Sequence, residues 1–147
     1  TQNRRKKTLF CKRFTILIDW SFMGNSEDRQ KRKNKMKEKI TFEDFLKVDI
    51  RIGTIIEVND FPNARKPAYQ LKVDFGSLGV KNTSAQITDL YSKKDLINKQ
   101  VSGIVNFKSK QIANFMSEFL ILGVYNKENQ VVLLQTSKLI KNGQQIL

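Results

Sequence analysis

The sequence predicts an all-β domain, a small closed barrel with one helix plugging an end. Three observations carry this. From Ile40 onward, five or six short β-rich runs follow one another, each bounded by Gly, Pro, Asn or Asp turn signals. One short helix signal falls between the third and fourth runs. Gly53 interrupts the first run, where a barrel strand needs a bulge or a sharp bend. That order matches the five-stranded Greek-key barrel of the oligonucleotide-binding (OB) type. The plainer alternative is a generic small barrel or sandwich with no ligand groove.

The elements follow in order. Thr41-Phe42-Glu43-Asp44 reads as a helix start, with Thr41 as the cap and two carboxylates in the first turn. Phe42, Phe45 and Leu46 share its apolar face. Val48, Ile50 and Ile52 alternate with Asp49 and Arg51 as a strand, which Thr54 to Val58 continues past Gly53. Asn59 to Pro67 is a loop with two prolines and two cations, Arg65 and Lys66. Tyr69, Leu71, Val73 and Phe75 alternate with Gln70, Lys72 and Asp74, a half-buried strand. Gly76 to Gly79 is a turn, and Lys81 to Thr88 is a polar strand. Ser92-Lys93-Lys94-Asp95 has capping-box form and opens a helix ending near Asn98. Val101 to Phe107, Phe119 to Val124 and Val131 to Leu134 supply three more strands, and Asn126 to Asn129 is a hairpin turn.

Composition bounds the function. The chain has 147 residues, no His, and one Cys, Cys11. The commonest general base and metal ligand are therefore missing. Cys11 has no intrachain disulfide partner and no metal-site spacing. With no phosphate-cradling glycine loop and no paired acids, no enzymatic activity and no cofactor are expected. Net charge is +13, of which residues 1–39 contribute +9 and residues 40–147 only +4. Residues 1–39 read as a basic extension separate from the OB domain at 40–147. This extension is an arm for RNA or membrane phosphates, a disordered or loosely helical tail, or non-native sequence upstream of a natural start at Met36. Its apolar stretch, Leu9 to Met23, is too short and too interrupted by charge for membrane insertion, and it makes a poor signal peptide. A reducing cytoplasm is the expected home.

The stretch Asn106 to Glu118 stands out between two apolar runs. It carries two lysines, Lys108 and Lys110, with Asn106, Gln111, Phe107, Phe115 and Met116. Cations hold phosphates, amides read base edges, and aromatic or thioether groups give bases or apolar peptide a surface. The segment points to recognition of a polymer. Lys108 and Lys110, with Arg65 and Lys66, are candidate phosphate contacts; Lys72 and Lys81 are further cations on strands. Ser84 and Gln86 share one face of the polar strand and can hydrogen-bond bases or peptide backbone. Phe115 and Met116 are candidate stacking or pocket groups, unless Phe115 packs under the loop. Glu118 repels phosphate, so it organises the loop or accepts from a base amino group.

Four motifs in register carry a resemblance: Asp49-Ile50-Arg51-Ile52-Gly53-Thr54-Ile55, Phe61 to Tyr69, Ser84-Ala85-Gln86-Ile87-Thr88, and Gln100 to Phe107. Together they resemble the CsaA-type export-related chaperones of the tRNA-binding-domain family, which also includes the C-terminal module of many methionyl-tRNA synthetases. The resemblance spans nearly all of Phe42 to Leu147. It implies an OB-fold, tRNA binding, binding of unfolded or preprotein segments, and a homodimer made by N- and C-terminal extensions at Thr41 to Val48 and Val131 to Leu147. It also makes Asn106 a binding residue and places Ser117-Glu118 in a family motif, with Ser117 at the site. The chain departs from that pattern where relatives carry prolines and glycines: Lys108-Ser109 predicts a more flexible, more basic loop, Asn98 tolerates a left-handed turn, and Asn114 alters the turn before Phe115.

Two readings from different classes follow. One is a tRNA-binding OB module acting as a dimer, its cations on phosphates and its amides on exposed bases. The other is an export chaperone holding extended apolar peptide with no tRNA role. A ligand-free dimerisation module is the bland remainder.

Overall fold

The computed structural model describes residues 36–147; the readings placed on residues 1–35 lie outside the described residues. In chain order the elements are α1 (Phe42–Leu46), β1 (Ile50–Asp60), β2 (Tyr69–Asp74), β3 (Val80–Ala85), α2 (Lys93–Leu96), β4 (Gln100–Ile104), β5 (Lys110–Ile112), β6 (Phe115–Ser117), β7 (Leu120–Ile121), β8 (Gly123–Tyr125) and β9 (Val131–Leu133).

β1 organises the domain. Its first half, from Ile50 to Thr54, pairs antiparallel with β4, and its second half, from Thr54 to Asp60, pairs antiparallel with β2. The main sheet runs β3-β2-β1-β4-β7. Its two ends meet along a short seam. The Glu118 backbone N–H donates to the Asn82 carbonyl at 2.8 Å, and the Asn82 N–H donates to the Glu118 carboxylate at 2.7 Å. The Thr83 hydroxyl donates to the Phe119 carbonyl at 2.8 Å. The result is a nearly closed five-stranded antiparallel barrel of the OB type, as the strand order predicts.

Alternation along each strand fills the interior. Leu71, Val73, Phe75, Ile55, Val101 and Phe119 are all essentially solvent-free. Phe75 and Phe119 meet edge to face with ring centroids 4.9 Å apart, a favoured aromatic geometry. α2 inserts its one buried side chain, Leu96, into this cluster. The helix is only four residues long, so its ends decide whether it forms. Ser92 accepts from the Asp95 N–H while the Asp95 carboxylate accepts from the Ser92 N–H, a complete capping box. Asn98 follows in the left-handed conformation, φ 63°, as its type allows. Thr41 caps α1 as expected, accepting from the Asp44 N–H at 3.1 Å.

Several boundaries differ from the sequence reading. The strand irregularity falls at Ile56, between Ile55 and Glu57, and not at Gly53. Gly53 instead permits close packing: a Cβ there would sit 2.6 Å from Val73 Cγ1 and 2.9 Å from the Asp74 carbonyl oxygen. The segment read as one strand from Phe119 to Val124 divides into β7, on the barrel, and β8, which pairs with β9. β3 stops at Ala85, although burial keeps alternating through Ile87. The C-terminal segment lies along the free edge of β1: Ile52 N–H donates to Gln144 O, Gly143 N–H to Ile52 O, and Ile146 N–H to Ile50 O.

The capping box makes a pH prediction. Hydrogen bonds from the Ser92 hydroxyl and backbone hold the Asp95 carboxyl below the ordinary aspartate range. A depressed folded-state pKa means the stabilisation is present above the unfolded value and lost as pH falls through the folded one. Asp95→Asn is therefore expected to lower stability at pH 7. The gap from wild type should narrow below about pH 4, as read from urea midpoints across pH.

Candidate nucleic-acid interface

The outer face of β1, β2 and β3 follows directly from strand alternation. With Leu71 and Val73 inside, Gln70 and Lys72 must point outward. Register then aligns them with neighbours. One rung is Asn59–Gln70–Ser84 and the next is Glu57–Lys72–Asn82. On the second rung Lys72 pairs with Glu57 at 2.8 Å. Asn59 Nδ2 also donates to Glu57, at 2.6 Å. These two donors, Lys72 foremost, hold the Glu57 carboxyl below its ordinary range. Gln70, Asn82, Ser84 and Gln86 offer polar side chains with no partner among the described residues. All four are half-buried.

Two loops stand over this face at the Asn59–Gln70–Ser84 end. The β1–β2 loop closes with Phe61 N–H donating to Ala68 O at 3.3 Å, one rung beyond Asp60 and Tyr69. Its tip carries Arg65 and Lys66, both exposed and unpaired. The segment between β4 and β7, expected as an open loop, forms a second hairpin from β5 and β6, with Lys110 opposite Ser117 and Ile112 opposite Phe115. Ala113 turns the chain with φ 51°, a conformation uncommon for residues with a Cβ. The two loops are pinned together, because the Phe115 ring lies 5.6 Å from that of buried Phe61.

The structure therefore gathers Arg65, Lys66, Ser84, Gln86 and Phe115 at one end of the barrel, with Met116 on the pinned hairpin and Lys108 in the connection that leads from β4 into it. Lys108 and Met116 are exposed; Lys110 is half-buried within β5. Phe115 packs beneath the hairpin on Phe61, the packing alternative that the sequence left open. Lys72 shares the outer face but is held by Glu57. Lys81 has the opposite parity from Ser84 and lies at the far end of β3. Ser117 is buried in the barrel seam, its hydroxyl 3.2 Å from that of Thr83. Asn106 binds the chain itself: it accepts from the Asp49 N–H at 3.0 Å and donates to the Lys47 carbonyl at 2.7 Å. Glu118 organises the seam, one of the two roles expected for it. Sequence reasoning missed Asn59, which it assigned to a loop, and Phe61 as the pin. It also passed over Gln70, although the alternation through Leu71 and Val73 already placed that side chain outward.

Comparison with known proteins gives this arrangement a family. The model of the family described as "Putative tRNA binding domain" matches residues 50–145. The chain belongs to the tRNA-binding-domain family. The methionine–tRNA ligase of Thermococcus onnurineus is 37% identical over 131 residues, covering 86% of this chain and 18% of that protein. That of Pyrococcus horikoshii is 37% identical over 115 residues, covering 78% of this chain and 16% of that protein. The chain thus spans under a fifth of the length of the curated relatives it matches. Among solved structures, the chaperone CsaA of Bacillus anthracis is similar with a TM-score of 0.71 and 46% identity, over 75% of this chain and all of that one. The CsaA chaperone of Picrophilus torridus is similar with a TM-score of 0.70 and 51% identity, over 74% of this chain and all of that one. The family is defined by a binding domain and not by a catalytic one.

Proposed function

We propose that this protein binds tRNA through the β1–β2–β3 outer face and the two loops pinned over it, and catalyses no reaction of its own. One observation carries the reading: Arg65 and Lys66 are exposed and without partners on a loop that the Phe61–Phe115 contact joins to the β5–β6 hairpin, beside a face of uncommitted amides and hydroxyls, and Lys108 stands exposed and without a partner just before that hairpin. Unpaired cations neutralise phosphates at little cost, since no internal ion pair must break first. The adjacent Ser84 and Gln86 then meet bases or riboses of an unpaired segment, the part of RNA that proteins read. The family match and the synthetase relatives support tRNA as the partner. Among the described residues no helix is long and apolar enough to cross a membrane, and the cytoplasm, where tRNA resides, is the proposed location.

Such binding must weaken steeply with salt, because each neutralised phosphate releases counterions. In a salt titration of tRNA binding by the full chain and by residues 36–147, both are expected to bind. The Arg65→Ala/Lys66→Ala double variant should lower the log–log slope by about 2. Absence of any salt-sensitive complex in dilute buffer would sink the reading.

A chaperone activity is a second reading, supported by Phe107 and Met116, which stand exposed on the same hairpin segment, and by the two CsaA chaperone structures. Unfolded or preprotein segments would rest on these apolar groups, with little dependence on salt. The expected result is suppressed aggregation of a denatured client at a few-fold molar excess, diminished in Met116→Ser. A client that aggregates unchanged at every ratio tested rules it out.

We further propose a homodimer. Phe42 and Leu46 on α1, and Val124, Val132 and Leu134 on the β8–β9 hairpin, are large apolar side chains left exposed on the single chain. Large apolar side chains left open on both terminal extensions fit an association surface. Light scattering on the full chain is expected to give twice the chain mass at micromolar concentration and the single-chain mass for Phe42→Ser/Leu46→Ser. A wild-type chain that stays monomeric would count against it.

A further inference from the structure

We infer that Gln70 is a specificity-determining residue that reads the hydrogen-bonding edge of an unpaired base. The inference rests on the tRNA-binding reading above and adds what the face selects. β2 is flanked on both sides, by β1 and β3, so Gln70 stands at the middle of the face with its backbone fixed in two ladders. Ser84 lies directly across from it, and the basic β1–β2 loop ends at Ala68, two residues before it. On the β1 side the polar groups are engaged with one another: Glu57 takes Lys72 and the amide of Asn59. Gln70 keeps its whole carboxamide, half-buried and without a partner.

A carboxamide presents one acceptor beside one donor. That pair matches N6–H and N7 of adenine, the edge that a Gln carboxamide reads bidentately. A half-buried group of this kind discriminates strongly, because a mismatched edge leaves it unsatisfied. A carboxylate would instead offer two acceptors. Only guanine has two adjacent donors, N1–H and N2–H, on its pairing edge. The chemistry of the side chain at position 70 therefore sets which base is accepted.

Two variants of nearly unchanged size test this on the full chain: Gln70→Met, which removes both hydrogen-bonding groups, and Gln70→Glu, which leaves only acceptors. Binding is measured to tRNA and to oligouridine strands carrying a single central A, C or G. Gln70→Met is expected to lose roughly 5- to 150-fold in tRNA affinity, one bidentate contact, with its salt slope unchanged, since no phosphate contact is removed. Gln70→Glu is expected to weaken all strands through its charge while shifting the relative preference towards the G-containing strand. If both variants bind every strand with the wild-type order of preference and Gln70→Met keeps wild-type affinity, the inference is overturned while salt-sensitive tRNA binding stands. If wild type shows no salt-sensitive binding, the broader reading fails first. If the variants change affinity only for an unfolded polypeptide, Gln70 serves peptide and this inference is again overturned.

Discussion

The divided pairing of β1 is the constraint on which the rest depends. Thr54 is the one residue aligned with both neighbours, Gln100 of β4 on one side and Asp74 of β2 on the other. Before it the strand belongs to one side of the barrel, and beyond it to the other. Such a strand must coil, and a bulge increases local twist while leaving one residue unpaired. Ile56 is that residue, and it is accordingly left exposed. Gly53 lets the backbones approach at the inside of the bend, because any side chain would meet Val73, Phe75 and the β2 backbone. The edge of β1 that β2 leaves bare is taken up by Gly143, Gln144 and Ile146. The left-handed Gly143, φ 84°, is required there, since a Cβ would lie 2.4 Å from the Phe75 carbonyl oxygen.

From this coil follows the placement of the site. The bulge resets the parity of β1, so that Val58 still points into the core while Glu57 and Asn59 line up outward with Lys72 and Gln70. With regular pairing in place of the bulge, Ile56 would stand opposite Lys72 and Glu57 would face Leu71 in the core. Barrel closure acts on the other side of the face. Glu118, Asn82, Thr83 and Ser117 fasten the hairpin's return strand to β3, and the hairpin can then reach across to Phe61. A negative residue close to the proposed phosphate-binding surface is tolerable in this role, because the Glu118 carboxylate is engaged by a backbone N–H.

The same division of labour explains why residues of similar chemistry differ in use. Lys72 and Arg65 are both exposed cations, but one is held by Glu57 and the other is free. Asn106 and Gln70 are both amides, set near opposite ends of β1. Asn106 has both ends of its amide on the chain between α1 and β1, and so ties the N-terminal helix to the start of the hairpin segment. Gln70 has neither end engaged.

Much of the fold was legible in the sequence because its signals are local. Alternation, the Ser92 capping box and the tolerance of Asn98 for a left-handed turn each depend on a few consecutive residues, and the structure shows each of them. The order of strands and helix was enough to indicate the barrel. The candidate site was only partly legible. Residue type marked Arg65, Lys66, Ser84 and Gln86 as able to bind, and alternation alone put Gln70 outward. Type could not show that Asn106, Lys72 and Ser117 have partners 57, 15 and 34 residues away in sequence. Nor could it show that Phe115 finds Phe61, that Ile56 carries the bulge in place of Gly53, or that the region after β4 folds into a hairpin. These are long-range choices. Which polar groups remain free for a ligand is decided only when barrel closure brings distant strands together and their hydrogen-bonding groups select partners.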